Sequence, residues 1–307
     1  MKRLLIILLV SFFFCITQTS YSATKCVNTT GTGGCYSSIQ AAINAASTND
    51  TVKVMPGTYN GSIVIGKKIW VMGSGPELTK IYSDSAIAFA AVEFVSGCNY
   101  AYLMGFTIQS QNHNGISIAK DLLPNIFNNL IQCCGASGIY VNQAGPVIAN
   151  NVIYKNTWTG IHFTDGPYTP LVYNNIIYNN FACGYGCNTG SGYCPEEIRS
   201  LNNCFWNNGT NFCNYHSAGP GDIVLDPQFV NPSCLTSADF HLAIGSPCID
   251  KGRDGDYDCD GTRADIGVYG GPHAYCGPGP VVTNLQLIPP TVVKGETFNI
   301  QATGATR

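Results

Sequence analysis

The chain has 307 residues, of which only 11% are charged, and a formal net charge of -3. So sparse and faintly negative a surface excludes the basic face that nucleic acid or an anionic membrane would need. The length allows one large domain or two small ones, and 34 glycines with few lysines and glutamates favour strands and turns over helices.

Residues 1–22 begin with two positive charges, run through about a dozen apolar residues and end on small polar ones. That order predicts a secretory signal peptide cleaved near Ser22; the apolar run is short of the ~20 residues a membrane span requires. The mature chain is therefore expected to be secreted or at the cell surface, the periplasm included, with no membrane span after cleavage. Of the 15 cysteines, Cys15 falls in the leader, and the even number left in an oxidising compartment predicts disulfides. Cys26 and Cys35 flank a Gly/Thr-rich turn and suit a local pair, whereas Cys183, Cys187, Cys194, Cys204 and Cys213 crowd one irregular segment. Zinc is the weaker reading of that crowd, because its spacing fits no zinc pattern.

SSIQAAINAAS (37–47) predicts an amphipathic helix. Ser37 and Gln40 have the spacing of a capping box, and Ile39, Ile43, Ala42 and Ala46 form its apolar face.

From there on the sequence repeats. PNIFNNLIQCCGASGI (124–139), PVIANNVIYKNTWTGI (146–161) and TPLVYNNIIYNNFACGY (169–185) align, and LNNCFWNN (201–208) continues part of the pattern. The apolar residue after the asparagine pair falls at Ile131, Ile153, Ile177 and Phe205, and Ile108 takes the same place one turn earlier, giving steps of 23, 22, 24 and 28 residues. Gly115, Gly138, Gly160 and Gly184 each follow their isoleucine by seven positions, and ISI, IYV and IHF after the first three alternate as half-buried strands do. A period of this size with short strands and no helical pattern predicts the coils of a parallel β-solenoid. Leucine-rich repeats lack their leucines here, and an antiparallel sandwich would not hold Asn129, Asn151, Asn175 and Asn203, or Asn156, Asn180 and Asn208, in register. Stacked ~4.8 Å apart, such asparagines can pass side-chain hydrogen bonds from coil to coil, and asparagine tolerates a left-handed bend. Asn151 and Asn156 are thus expected to serve as bend and ladder positions. The helix would cap the exposed N-terminal end of the stack.

YSSIQAAINAAS, DTVKVMPGTY, IWVMGSGPELTKI and the NN-x-I repeats, in that order, resemble the pectin-lyase-like family of right-handed parallel β-helix proteins. DPQFVNP, ADFHLAIGSPCIDKG and DCDGTRADIGVYGG resemble closing coils of bacterial secreted members. The resemblance spans residues 35–271 and implies an all-β fold: a right-handed parallel β-helix over 23–276 with an N-terminal capping helix. Beyond it, residues 277–307 comprise a linker and a stretch similar to the first strands of an immunoglobulin-like β-sandwich, too few for a domain of their own.

The resemblance also implies a chemistry to look for. Members that cleave uronate polysaccharides do so by β-elimination, with calcium on several aspartates and an unprotonated Lys or Arg as base. Aligning the segments after the glycines places Ser117, Tyr140 and His162 in one outward column and Lys120, Gln143 and Asp165 in another, with Asp121 alongside. No trio of aspartates and no Asp-Asp dipeptide accompanies them. Lys120, Asp121, His162 and Asp165 are the catalytic candidates; Asp121 and Asp165 would stand ~9–10 Å apart by strand spacing, near the upper limit for inverting hydrolysis.

Another outward column, Gln109, Gln132, Tyr154, Tyr178 and Trp206, suits sugar stacking unless loop 184–200 folds over it. Tyr140, Tyr154, Tyr178 and Trp206 are accordingly the carbohydrate-binding candidates. Asp256, Asp258 and Asp260 with Gly261 match the first half of a calcium loop, to which Asp265 adds a fourth carboxylate. Calcium is the one cofactor the sequence suggests, in a structural role. The expected function is contact with polysaccharide by a monomeric binding or surface module. The alternatives are a diverged polysaccharide lyase or glycoside hydrolase, and a structural spacer of a larger surface protein.

Overall fold

The computed structural model describes residues 22–274, apart from 188–196, 215 and 236, together with the strands Val281–Ile288 and Asn299–Ala305. The expected signal peptide therefore lies outside the described residues. Among those described, no helix is long and apolar enough to cross a membrane.

Three parallel sheets run the length of a solenoid, and each coil contributes one short strand to each of them in turn. The first sheet has eight strands, from Thr24–Val27 to Arg199–Leu201; the second has seven, from Gly57–Asn60 to Cys204–Trp206; the third has seven, from Ile63–Ile65 to Thr210–Phe212. Alternation decides what each strand buries. Val52, Val71, Leu103, Ile126, Ile148 and Val172 pair in register along the inner side of the first sheet. Tyr59, Ile81, Ile108, Ile131, Ile153, Ile177 and Phe205 do so along the second. Ile116, Ile139, Ile161 and Tyr185 run along the third, and these columns meet in one apolar core.

The corner between the first and second sheets is an asparagine pair in four successive coils. Asn128, Asn150, Asn174 and Asn202 have φ near +50°, so the first asparagine makes the bend. The second runs the ladder. Asn129 Nδ2 donates to Asn151 Oδ1 (3.3 Å), Asn151 to Asn175 (3.0 Å) and Asn175 to Asn203 (2.9 Å), and each backbone N–H binds the same oxygen as its side chain. The Asp222 carboxylate terminates the row, accepting from Asn203 N and Nδ2. A second ladder links Asn156, Asn180 and Asn208 at the next corner, where Lys155, Asn179 and Asn207 make the bends. Asn151 and Asn156 are therefore both ladder residues, and the bends belong to the residue before each.

The helix spans Ile39–Ala45 and buries Ile39, Ala42 and Ile43 against the first coils. Its N-cap is Ser38, whose hydroxyl accepts from Ala41 N, rather than Ser37. Gln40 does not close a capping box: its amide instead binds Val64 N and O on the third sheet. Lys67 Nζ reaches the carbonyls of Ile43, Asn44 and Ala46 and satisfies the other end of the helix.

Cys26–Cys35, Cys133–Cys234 and Cys183–Cys213 are disulfides, and Cys187 and Cys259 are also disulfide-bonded. General pairing does not extend to Cys98, Cys134, Cys204 and Cys248, which are buried thiols. Burial pushes the Cys98 and Cys134 thiols up to about 12, so they serve as small apolar core residues.

After the last coil, residues 226–274 turn back along the outside of the stack. Phe229, Phe240, Cys248, Ile266 and Val268 form a second apolar cluster with Leu130, Val152, Tyr154, Ile176 and Cys204 of the second sheet. The bend asparagines hold the segment there: Asn128 Nδ2 donates to the carbonyls of Val268 and Gly270, Asn150 to those of Asp265 and Gly267, and Asn202 to that of Lys251. The strands Val281–Ile288 and Asn299–Ala305 pair antiparallel as a two-stranded sheet, to which no third strand is added among the described residues.

Candidate functional site

The returning segment decides which outer face is free. Gln132, Tyr154 and Tyr178 point outward from the second sheet as alternation requires, and residues 226–274 lie over them; most of loop 184–200, the cover the sequence suggested, falls outside the described residues. Tyr154 is 4% exposed, its ring is edge-on to Phe240, and its hydroxyl donates to Pro232 O. Tyr178 packs on Phe229, and Trp206 is half-buried at the end of the column. Tyr154 therefore has no open ring face, and at that position the column is a packing surface. On the first sheet, Trp70 and Tyr102 stack at 3.7 Å, Phe127 lies against His273, and the Arg253 guanidinium covers the Tyr173 ring at 4.1 Å.

The returning segment leaves the outer face of the third sheet uncovered. Pairing sets Glu93, Ser117, Tyr140, His162 and Gly186 in one outward column. The Tyr140 and His162 rings lie 5.3 Å apart and 16° from parallel; Trp158, on the turn before the strand Ile161–Phe163, lies 6.3 Å from His162 at 12°. Three nearly parallel rings thus form a row, with Trp158 at its edge 56% exposed. His162 is buried within the row, burial holds its pKa below the usual imidazole value, and its Nε2 has no hydrogen-bond partner among the described residues. The ring is therefore neutral near pH 7, and its unpaired Nε2 is enclosed beside the Tyr140 and Trp158 rings.

Two depressions involve residues of the third-sheet strands or of the turns after them, and the smaller includes Tyr140. One, of ≈ 210 Å³, is lined by Phe89, Glu93, Ser117, Tyr140 and Asn142. The other, of ≈ 610 Å³, lies where the chain leaves the third sheet and is lined by Lys120, Gln143, Asp165, Tyr168, Thr169 and Glu197. The column of Lys120, Gln143 and Asp165 is thereby brought together as one wall. The catalytic set as a whole is not: His162 belongs to the ring row, and Asp121, exposed with φ 63°, does not line the cleft. Trp158, Glu93 and Glu197 are additions that the repeat alignment missed. Glu93 was detectable, since Val92 stands one coil before Ile116; Glu197 follows the cysteine-rich irregular stretch, where the phase is lost.

The four aspartates of the expected calcium loop do not converge. Asp256 binds Arg253 through both oxygens (3.1 and 2.9 Å), Asp258 accepts from Asp265 N and Gly271 N, Asp260 from Thr262, and Asp265 from Asp250 N. Each carboxylate is committed to a different part of a turn, and that is the reason the motif makes a closing loop rather than a cation cage.

Residues 87–231, just under half of the chain, match the sequence model of the right handed beta helix region. The right-handed parallel β-helix that the repeat motifs resemble is thus the fold of this chain. No curated protein matches it. Among solved structures, it is similar to the ORF18 protein of Geobacillus virus E2, with 20% identity and a TM-score of 0.42 over 55% of this chain; the chain spans 38% of that protein. It is similar also to a pectin methylesterase mutant in complex with a hexasaccharide, with 10% identity, a TM-score of 0.39 and coverage of 63% of this chain and 81% of that one. A third, pectate lyase Pel9A, shows 14% identity and a TM-score of 0.39 over 81% of this chain and 96% of that one.

Proposed function

We propose that this protein contacts polysaccharide through the outer face of its third sheet, as a binding module. The row of Tyr140, His162 and Trp158 carries the reading: the flat apolar faces of sugar rings pack on aromatic faces, and Trp158, 56% exposed, is the ring of the row most open to a ligand. The charge nearby selects among glycans. Glu93, Asp165 and Glu197 face the same side as the single Lys120, so a neutral chain is favoured over a polyuronate. Retention on insoluble neutral polysaccharides and on pectate checks this. Trp158→Ala is expected to lower retention about tenfold, the scale of one aromatic contact, and Trp206→Ala to leave it unchanged. Equal retention of wild type and Trp158→Ala would sink the reading.

The larger cleft supports a second reading, a glycoside hydrolase, because Asp165 and Glu197 place two carboxylates in one depression. The expected outcome is release of reducing ends from a neutral polysaccharide, abolished in both Asp165→Asn and Glu197→Gln. A lyase would need its cation site on this face, and the one group of three or more metal-ligating side chains among the described residues lies elsewhere.

A further inference from the structure

That group is Glu77, Asp239 and His241. Glu77 sits on the turn before the strand Thr79–Ser83, and Asp239 and His241 are alternate residues of the strand Asp239–Leu242 in the returning segment, so both project to one side. His241 Nδ1 lies 2.8 Å from Asp239 Oδ1 and 3.4 Å from Glu77 Oε1, and all three ligand atoms fall within 4.8 Å of one another. Nitrogen and oxygen ligands ~2.1 Å from a tetrahedral ion stand ~3.4 Å apart, so this spacing needs little adjustment to hold one.

The surroundings fix two of the three groups. The His241 ring stacks on Tyr269 at 3.9 Å and 5° from parallel, and the Tyr269 hydroxyl donates to Glu77 Oε1 at 2.8 Å. One residue thus orients a histidine and a carboxylate toward each other, the role outer partners play around bound metals. Glu77, Asp239 and Tyr269 also line a cleft of ≈ 570 Å³ between the second sheet and the returning segment. Gln132, 4% exposed, lines the same cleft, and its Oε1 has no hydrogen-bond partner among the described residues. An unpaired acceptor there can accept a hydrogen bond from a water in the cleft.

We infer that Glu77, Asp239 and His241 form a binding site for a divalent transition metal of the zinc class, fastening the returning segment to the solenoid. An imidazole with two carboxylates and room for water suits zinc, whereas calcium takes oxygen ligands. Nδ1 gives up its proton, now shared with Asp239, when the ion takes its place.

The experiment is calorimetric titration of ZnCl₂ into untagged full chain stripped with a chelator. One Zn²⁺ per chain is expected, with CaCl₂ giving no comparable heat. His241→Ala should weaken Zn²⁺ binding at least tenfold and Glu77→Gln severalfold, and the rise in Tm on adding Zn²⁺ should disappear in both. Both side chains are about half exposed, so neither change opens the core. No Zn²⁺ binding by wild type, or binding by both variants within threefold of wild type, would overturn the inference.

Discussion

A polar residue inside a strand-rich core is stabilising only if all of its hydrogen bonds are made, and Asn151 makes them. Its oxygen accepts from Asn129 N and Nδ2, and its Nδ2 donates to Ile126 O, Ala149 O and Asn175 Oδ1. Asn151→Ala leaves several of these groups buried and unpaired, at about 1–3 kcal/mol each for the worst placed. We expect a loss of roughly 3–5 kcal/mol in urea denaturation, against under about 1 for Lys53→Ala at an exposed strand position; a loss below about 1 kcal/mol at Asn151 would contradict the ladder. The glycine phase has a related cause. None of Gly115, Gly138, Gly160 and Gly184 has positive φ, so conformation does not demand glycine. Space does: a Cβ at Gly138 would meet Ile153 Cγ2 at 2.7 Å, Gly160 O at 2.7 Å and Asn156 Nδ2 at 2.8 Å. Gly138→Ala is expected to cost about 1–3 kcal/mol by overpacking. Register in the sequence revealed both columns, but not why the second ladder starts only at Asn156. In the coil before, Cys134 takes the equivalent place, and its backbone N–H binds Asn156 Oδ1.

At the scale of elements, what a period encodes is the neighbour one coil away, and this marks the limit of what the sequence discloses. Alternation correctly turned Tyr154 and Tyr178 outward, yet their cover comes from chain with no repeat; Tyr154 lies 78 positions from the Pro232 carbonyl it meets. The third-sheet face was half legible for the same reason. Tyr140 and His162 share a phase, whereas Trp158 stands on the turn before the strand, outside the alternating pattern. The returning segment is held by apolar packing, by the bend asparagines and by Cys133–Cys234, which closes 101 residues of chain. By the chain-entropy account, a crosslink of that span contributes up to about 4–5 kcal/mol. Replacing both cysteines by serine should therefore raise hydrogen exchange in Phe229–Asn231 and Asp239–Leu242 while the strands Ile131 and Ile153 belong to stay protected. Equal loss of protection throughout would show that segment and solenoid unfold as one unit.

For the whole molecule, few charges mean that a handful of buried ones set its response to pH. Burial raises Asp265 to about 6, against an ordinary 3.8, and its neighbour Asp258 is raised too, again chiefly by burial. A carboxyl whose pKa is higher folded than unfolded binds more protons in the folded state between those two values, so stability falls as pH rises from about 4 to about 6. His162, His216 and His273 act in the opposite direction: burial lowers each of them, and the stability of their neutral forms is lost as pH drops through the unfolded value of 6.5. Total stability mixes the two signs, and a single substitution separates them. Asp265→Asn removes the buried charge and keeps an oxygen for Asp250 N, the bond Asp265 Oδ1 accepts at 2.8 Å. The variant should match wild type near pH 3.5, gain on it steadily to about pH 6 and hold a constant advantage above. Urea denaturation at half-unit steps measures this difference; an advantage that is already full at pH 3.5, or that shrinks toward pH 6, would place the ionising group somewhere other than the closing turn.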